Sequence, residues 1–161
     1  MARLIRSLKE EGTVSTEDNT ADNKALVQRF VDEIMNAGHT ASMADFCVAG
    51  SRFAGGFAGQ ITVIRTAFPD FQWTIDEMFA DGNKVAVGMT ARGTNAGPLV
   101  GLPAFGHFDQ PLPPTSKVVL VTGMYIFTVS DGMIVSLAYE IDQVGLLQQL
   151  GWSMTPPEPV E

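Results

Sequence analysis

The sequence predicts an α+β domain in which a curved antiparallel sheet wraps around N-terminal helices. Three observations predict it. Apolar residues recur at helical spacing before Pro69, they alternate at strand spacing after it, and Asp-Gly turns at 81–83 and 131–132 separate the alternating runs. A sheet bent around helices leaves a conical cavity between the two layers. That cavity is the expected seat of function.

The elements follow in order. Residues 1–21 read as an N-terminal arm: MARLIRSLKE has positive charges but no apolar run of a signal peptide, and TVSTEDNTADN lacks core periodicity. The domain proper spans 22–152, and a Pro-rich tail covers 153–161. Leu26, Val27, Phe30, Val31, Ile34 and Met35 mark one face of an amphipathic helix that Gly38 can terminate. Thr40 is placed to cap a short helix over Ala41–Cys47. Phe57, Ile61, Ile64 and Phe68 mark a further helix that stops at Pro69. Upstream of it, AGSRFAGGFAG (49–59) has neither the GxGxxG spacing nor a preceding strand of a phosphate cradle, and is expected to be a flexible gate over the cone mouth.

FQWTIDEMF (71–79) and KVAVGMTARGT (84–94) form a hairpin. The Gly/Pro-rich stretch 95–116 is too long for a turn and is a candidate functional loop. KVVLVTGMYIFTV (117–129) and MIVSLAYEID (133–142) pair across the second Asp-Gly turn, and VGLLQQLGW (144–152) resumes helical spacing.

A length of 161 residues with 45% hydrophobic content suits one domain with a real core. The net charge of −8, with only ten Lys and Arg, argues against nucleic acid or an anionic membrane surface as partner. No apolar run approaches the length of a membrane span, so a cytoplasmic protein is expected. A single cysteine, Cys47, forbids an internal disulfide, and with His39 and His107 as the only histidines no metal or cofactor is expected.

The segments AFPDFQWTIDEMFADGNKVAVGMTARGT, VTGMYIFTVSDGMIV and DQVGLLQQLG resemble the SnoaL-like polyketide cyclases, within the nuclear transport factor 2-like superfamily. The resemblance runs from about residue 24 to 152. It implies a cone-shaped fold and a cofactor-free enzyme that closes a ring on a polyketide-derived substrate, using an acidic residue in the cone to move a proton. This chain departs from the family's acid–base equipment: Tyr125 stands where the usual acid precedes the IF of the central strand, Asn95 replaces the histidine after RGT, Val48-Ala49 replaces an acidic-histidine pair, and Ser136 and Ala138 replace Glu and Trp. Smaller and less polar replacements would enlarge and dry the pocket, which suits a bulky hydrophobic substrate.

Strand alternation groups Ser136, Ala138, Glu140 and Asp142 on one face and Leu137, Tyr139 and Ile141 on the other. In the family register the first set looks into the cone, where two neighbouring carboxylates in an apolar space would keep one protonated as a general acid. Alternatively, Asp142 caps the last helix and Glu140 is a solvated rim residue. Tyr125 is expected to face inward with Phe127 and to offer its hydroxyl to a substrate carbonyl, or to be a core aromatic. His107 can act as a near-neutral proton shuttle on a lid, or stand merely exposed. Asn95 can orient a substrate oxygen, or serve a turn. Phe53, Phe57, Trp73, Met89, Phe105, Phe127 and Ala138 are candidate pocket wall, the aromatics and Met89 being equally candidates for core.

The expected activity is ring closure, either by acid–base chemistry or by conformational control of a pericyclic step. Two other classes remain open. One is an epoxide hydrolase or isomerase with Arg92 between the carboxylates; the other is a non-catalytic binding module. Under every one of them a small-molecule partner and a homodimer through the outer face of the sheet are expected.

Overall fold

In the structure, a computed structural model, residues 16–103 and 106–153 are described. Helix α1 (Thr16–Phe30) runs into a π-helical turn (Val31–Asn36), and a 3₁₀ turn (Thr40–Asp45) leads to α2 (Arg52–Ala67). Six strands follow: β1 (Gln72–Asp81), β2 (Lys84–Thr94), β3 (Leu99–Leu102), β4 (Gly106–Leu112), β5 (Val118–Ser130) and β6 (Met133–Ile141). Helix α3 (Gln143–Leu150) closes the described chain. The main sheet is antiparallel in the order β1-β2-β5-β6, and β3 and β4 form a separate hairpin.

The four main strands lie where alternation put them. Two of the expected loops do not. The glycine-rich 49–59 segment is mostly helix: Ser51 caps α2 by accepting a hydrogen bond from the Ala54 amide at 3.1 Å, and the helix is already formed at Arg52. The long 95–116 excursion is not a loop but contains the β3–β4 hairpin. Helix α1 also starts at Thr16, ten residues before its apolar stripe begins at Leu26, because a polar first turn needs no core contact to be helical. His39 rather than Thr40 precedes the 3₁₀ turn, and makes no side-chain cap bond.

Family-like signatures correspond to fasteners. Asp70 of AFPD accepts hydrogen bonds from the Thr94 amide (2.6 Å) and hydroxyl (2.8 Å), tying the start of β1 to the end of β2. Gly93 of TARGT lies against Phe68 and Phe71, where a β-carbon has no room. In DQVGLLQQLG, Asp142 caps α3 by accepting from the Gly145 amide at 2.7 Å, and Gln149 bonds the Leu120 backbone in both directions, at 2.8 and 2.9 Å. The cap requires glycine at 145, because a β-carbon there would collide with the Asp142 carboxylate.

The core occupies the space in which a cone was expected to be open. Phe30 is in edge contact with Phe46 (5.7 Å between centroids) and Phe127 (5.8 Å), and stacks at a tilt on Phe57 (5.4 Å). Aromatic pairs of this kind contribute about 0.5–1.5 kcal/mol each beyond area burial, so the centre is plugged by design of the sequence. Phe57, Trp73, Met89 and Phe127, expected as possible pocket wall, are all buried here.

Candidate functional site

One face of the main sheet meets the helices, and its polar content is small. On β5, Val119, Val121, Tyr125, Phe127 and Val129 point inward, while Leu120, Met124 and Ile126 point out. Tyr125 therefore takes the inward position expected of it and is only 7% exposed. Its ring stacks on Tyr139 of β6 (5.8 Å, 28°), the residue directly opposite in register. Burial raises the phenol pKa above its usual value, a hydrogen bond from the Trp73 side chain lowers it in part, and Tyr139 raises it further. The net direction is up, so Tyr125 stays a neutral donor at physiological pH.

The inward position of Tyr139 overturns the expected facing of β6. The register pairs Phe127 with Leu137 and Thr128 with Ser136, but Val129 with Ile134, so Val135 is an extra residue in a β-bulge. Ile134 points in, Val135 and Ser136 both point out, and from there the odd residues Leu137, Tyr139 and Ile141 face the core. Ala138 and Glu140 are exposed on the outer face. Glu140 lies with Asp76, Glu77 and Asp142 around a shallow outer depression, and Asp142 serves as the α3 cap. Neither carboxylate lies in the interior.

Asn95 is 1% exposed, but its amide is fully engaged. It donates to the carbonyls of Ala67 (3.3 Å) and Gly97 (2.9 Å) and accepts from the Thr115 amide (2.8 Å) and hydroxyl (3.0 Å). Those bonds fasten the ends of the β3–β4 excursion and leave no valence for a substrate. Arg92 is exposed near Asp70, away from Glu140 and Asp142 in the sheet. Phe105 lies outside the described residues.

The apolar opening is beside α2 instead of between helices and sheet. A groove of about 450 Å³ runs between the flank of α2 and the β3–β4 hairpin, lined by Gly55, Gly56, Gly59, Gln60, Val63 and Ile64 on one side and by Val100, Leu102, Pro103 and His107 on the other. Helical geometry explains it. Phe57 and Ile61 face the core, while Gly55, Gly56, Gly59 and Val63 fall on an adjacent flank. A β-carbon on any of the three glycines would meet open space, so their absence of side chains forms the groove floor. His107 is exposed at the edge of this groove and of a second one toward Leu147 and Trp152. Phe53 is half-buried against Phe57 at 5.8 Å.

Gln60 joins groove to interior. Its Oε1 accepts a hydrogen bond from the Tyr139 hydroxyl at 3.2 Å. A line of neutral polar groups thus runs from the groove through Gln60, Tyr139 and Tyr125 to the Trp73 indole. The sequence left Trp73 as pocket wall or core, and did not single out Gln60 and Tyr139 as members of this line. Tyr139 was hidden by the bulge; Gln60 was detectable as the polar neighbour of three glycines on one helical flank.

A sequence model described as "SnoaL-like polyketide cyclase" matches residues 25–150. No curated protein sequence matches the chain. Among solved structures, TsrD from Streptomyces laurentii superposes with a TM-score of 0.67 at 24% identity, over 81% of this chain and 96% of that one. A proposed SnoaL-like polyketide cyclase from Jannaschia sp. CCS1 gives 0.69 at 21% identity, covering 86% and 95%. IdmH, a proposed polyketide cyclase from Streptomyces antibioticus, gives 0.63 at 23%, covering 81% and 99%. These likenesses establish the α+β fold of the nuclear transport factor 2-like type.

Proposed function

The chain belongs to the SnoaL-like polyketide cyclase family, and from that premise we propose that it is a cofactor-free cyclase closing a ring on a bulky, mostly apolar polyketide-type substrate by conformational control. One observation carries the choice of mechanism: among the described residues no Asp, Glu, His or Lys is buried, and His107, the one such side chain lining the groove, stands exposed at its edge. Aldol-type closure needs a positioned base with a pKa near the working pH. A pericyclic closure needs only a shaped surface and a donor to an oxygen whose charge grows in the transition state.

In this reading the substrate's apolar body lies in the groove beside α2, whose volume falls within the usual range of small-molecule sites. An oxygen of the substrate approaches the Gln60 end of the polar line. The Tyr139 hydroxyl bonds the Gln60 carbonyl, which orients the amide and leaves its N–H groups as donors. Tyr125 stays neutral behind Tyr139 and is the donor that the interior can offer once the pair parts. We propose further that two copies pair through the outer sheet face, where Phe79, Leu120, Met124 and Ile126 are exposed.

The test is conversion of a linear polyketide-type chain followed by mass spectrometry. The expected product is an isomer of unchanged mass, and Tyr125→Phe or Gln60→Leu slows its formation about a hundredfold. Oxygen taken up from isotopically labelled water would instead mark a hydrolase and overturn the proposal.

A further inference from the structure

The helical irregularity at the end of α1 has a specific outcome. Over Val31–Asn36 the turn widens to π geometry, with the Ala37 amide donating to the Asp32 carbonyl at 2.9 Å. Such turns are rare and concentrate at functional sites. This one ends on Asn36, whose amide donates to the Trp73 carbonyl (2.9 Å) and accepts from the Trp73 amide (2.7 Å). Because β1 is an edge strand, both backbone groups of Trp73 on that edge would otherwise lack a sheet partner. A second clamp lies alongside: Arg65 of α2 donates to the carbonyls of Met35 (3.2 Å) and Phe71 (3.3 Å). The Trp73 ring is in edge contact with Phe71 at 4.6 Å, and its indole bonds Tyr125.

We propose that Asn36 is a positioning residue: the π turn delivers it to the Trp73 backbone, which fixes the indole and, through the indole, the direction of the Tyr125 hydroxyl. The inference rests on the reading of Tyr125 as the donor for ring closure, but the clamp itself can be tested without substrate. A staple that served only the strand edge would affect stability and nothing else. A positioning residue also governs the indole and the phenol.

The experiment uses the full chain carrying Trp152→Phe, which leaves Trp73 as its single tryptophan. On adding Asn36→Ala, the Trp73 emission is expected to shift to the red and its anisotropy to fall while the far-ultraviolet spectrum stays that of the folded protein. In Asn36→Asp, the protonated acid can donate and accept like the amide, so native emission is expected to return on acidification. If Asn36→Ala does not fold, the pH-dependent recovery in Asn36→Asp decides alone. Native Trp73 emission in folded Asn36→Ala, or emission in Asn36→Asp that does not change with pH, would overturn the proposal.

With substrate, Asn36→Ala is expected to lower kcat about tenfold or more at unchanged KM. It should add nothing further in a Tyr125→Phe background, and additive losses would overturn action through Tyr125. If Tyr125→Phe alone leaves turnover intact, the donor reading fails, while the emission data still decide the clamp.

Discussion

At position 125 a phenol, not a carboxylate, is the polar group presented by the central strand to the interior. Burial holds it protonated, so its contribution to rate is expected to be flat across neutral pH rather than bell-shaped. The contrast between Tyr125→Phe, slowed about a hundredfold, and Glu140→Gln, expected at wild-type rate because Glu140 faces outward, is read in one turnover assay. Equal losses in the two would contradict the facing of β6. Asp70 offers a second residue-level test. The Thr94 amide, then the Thr94 hydroxyl, hold its carboxyl below the usual range. A lowered folded-state pKa gives stability that is present above the unfolded value and lost as pH falls through the folded one. The melting-temperature gap between wild type and Asp70→Asn should therefore be widest near neutrality and close as pH falls below the ordinary aspartate value of about 3.9; a gap independent of pH would remove the charge from the explanation. Cys47, buried and with its thiol pushed up to about 11, is expected to resist alkylation until the protein unfolds.

At the scale of elements, α2 carries a tension between stability and use. Glycine inside a helix costs roughly 0.5–1 kcal/mol against alanine, and Gly55, Gly56 and Gly59 have open space where a β-carbon would go. Gly56→Ala is accordingly expected to raise the melting temperature, and Gly59→Leu to fold while losing substrate by filling the groove floor. A rise in stability with activity retained in Gly59→Leu would mean that substrate lies elsewhere. How far these elements were legible follows from what each one buries. Strands β2 and β5 alternate over nine or more residues against a core, so their extent could be read directly, as could the α2 stripe of Phe57, Ile61 and Ile64; β1 was legible in extent but not in facing, because a bulge between Ile75 and Glu77 turns Phe79 outward. The β3–β4 hairpin was not legible, since Gly101, Gly106 and Pro111 are poor strand formers and pairing rests on contacts far from local preference. The candidate site was half legible. Tyr125 followed from simple alternation, whereas Tyr139 lay beyond a bulge and Asn36 acts only through a turn wider than an α-helix.

For the molecule as a whole, the two sheet faces divide the labour. The inner one is committed to the core and the tyrosine pair; the outer one leaves Phe79 61% and Leu120 55% exposed. Phe79, Ala86, Ile126 and Ala138 lie in one row across the four strands, a continuous apolar band of the kind that two copies cover by self-pairing. Light scattering should report a dimer that Ile126→Lys converts to monomer without loss of fold; a monomeric wild type would contradict the pairing. Which groups belong to which face is decided at Val135. Were Val135 drawn into the regular pleat, every later side chain of β6 would change face, carrying Glu140 to the inner side and Tyr139 to the outer one. A neutral inner face would gain a carboxylate by a change of register alone, and a strand end can thus acquire or discard proton chemistry without changing any amino acid that performs it.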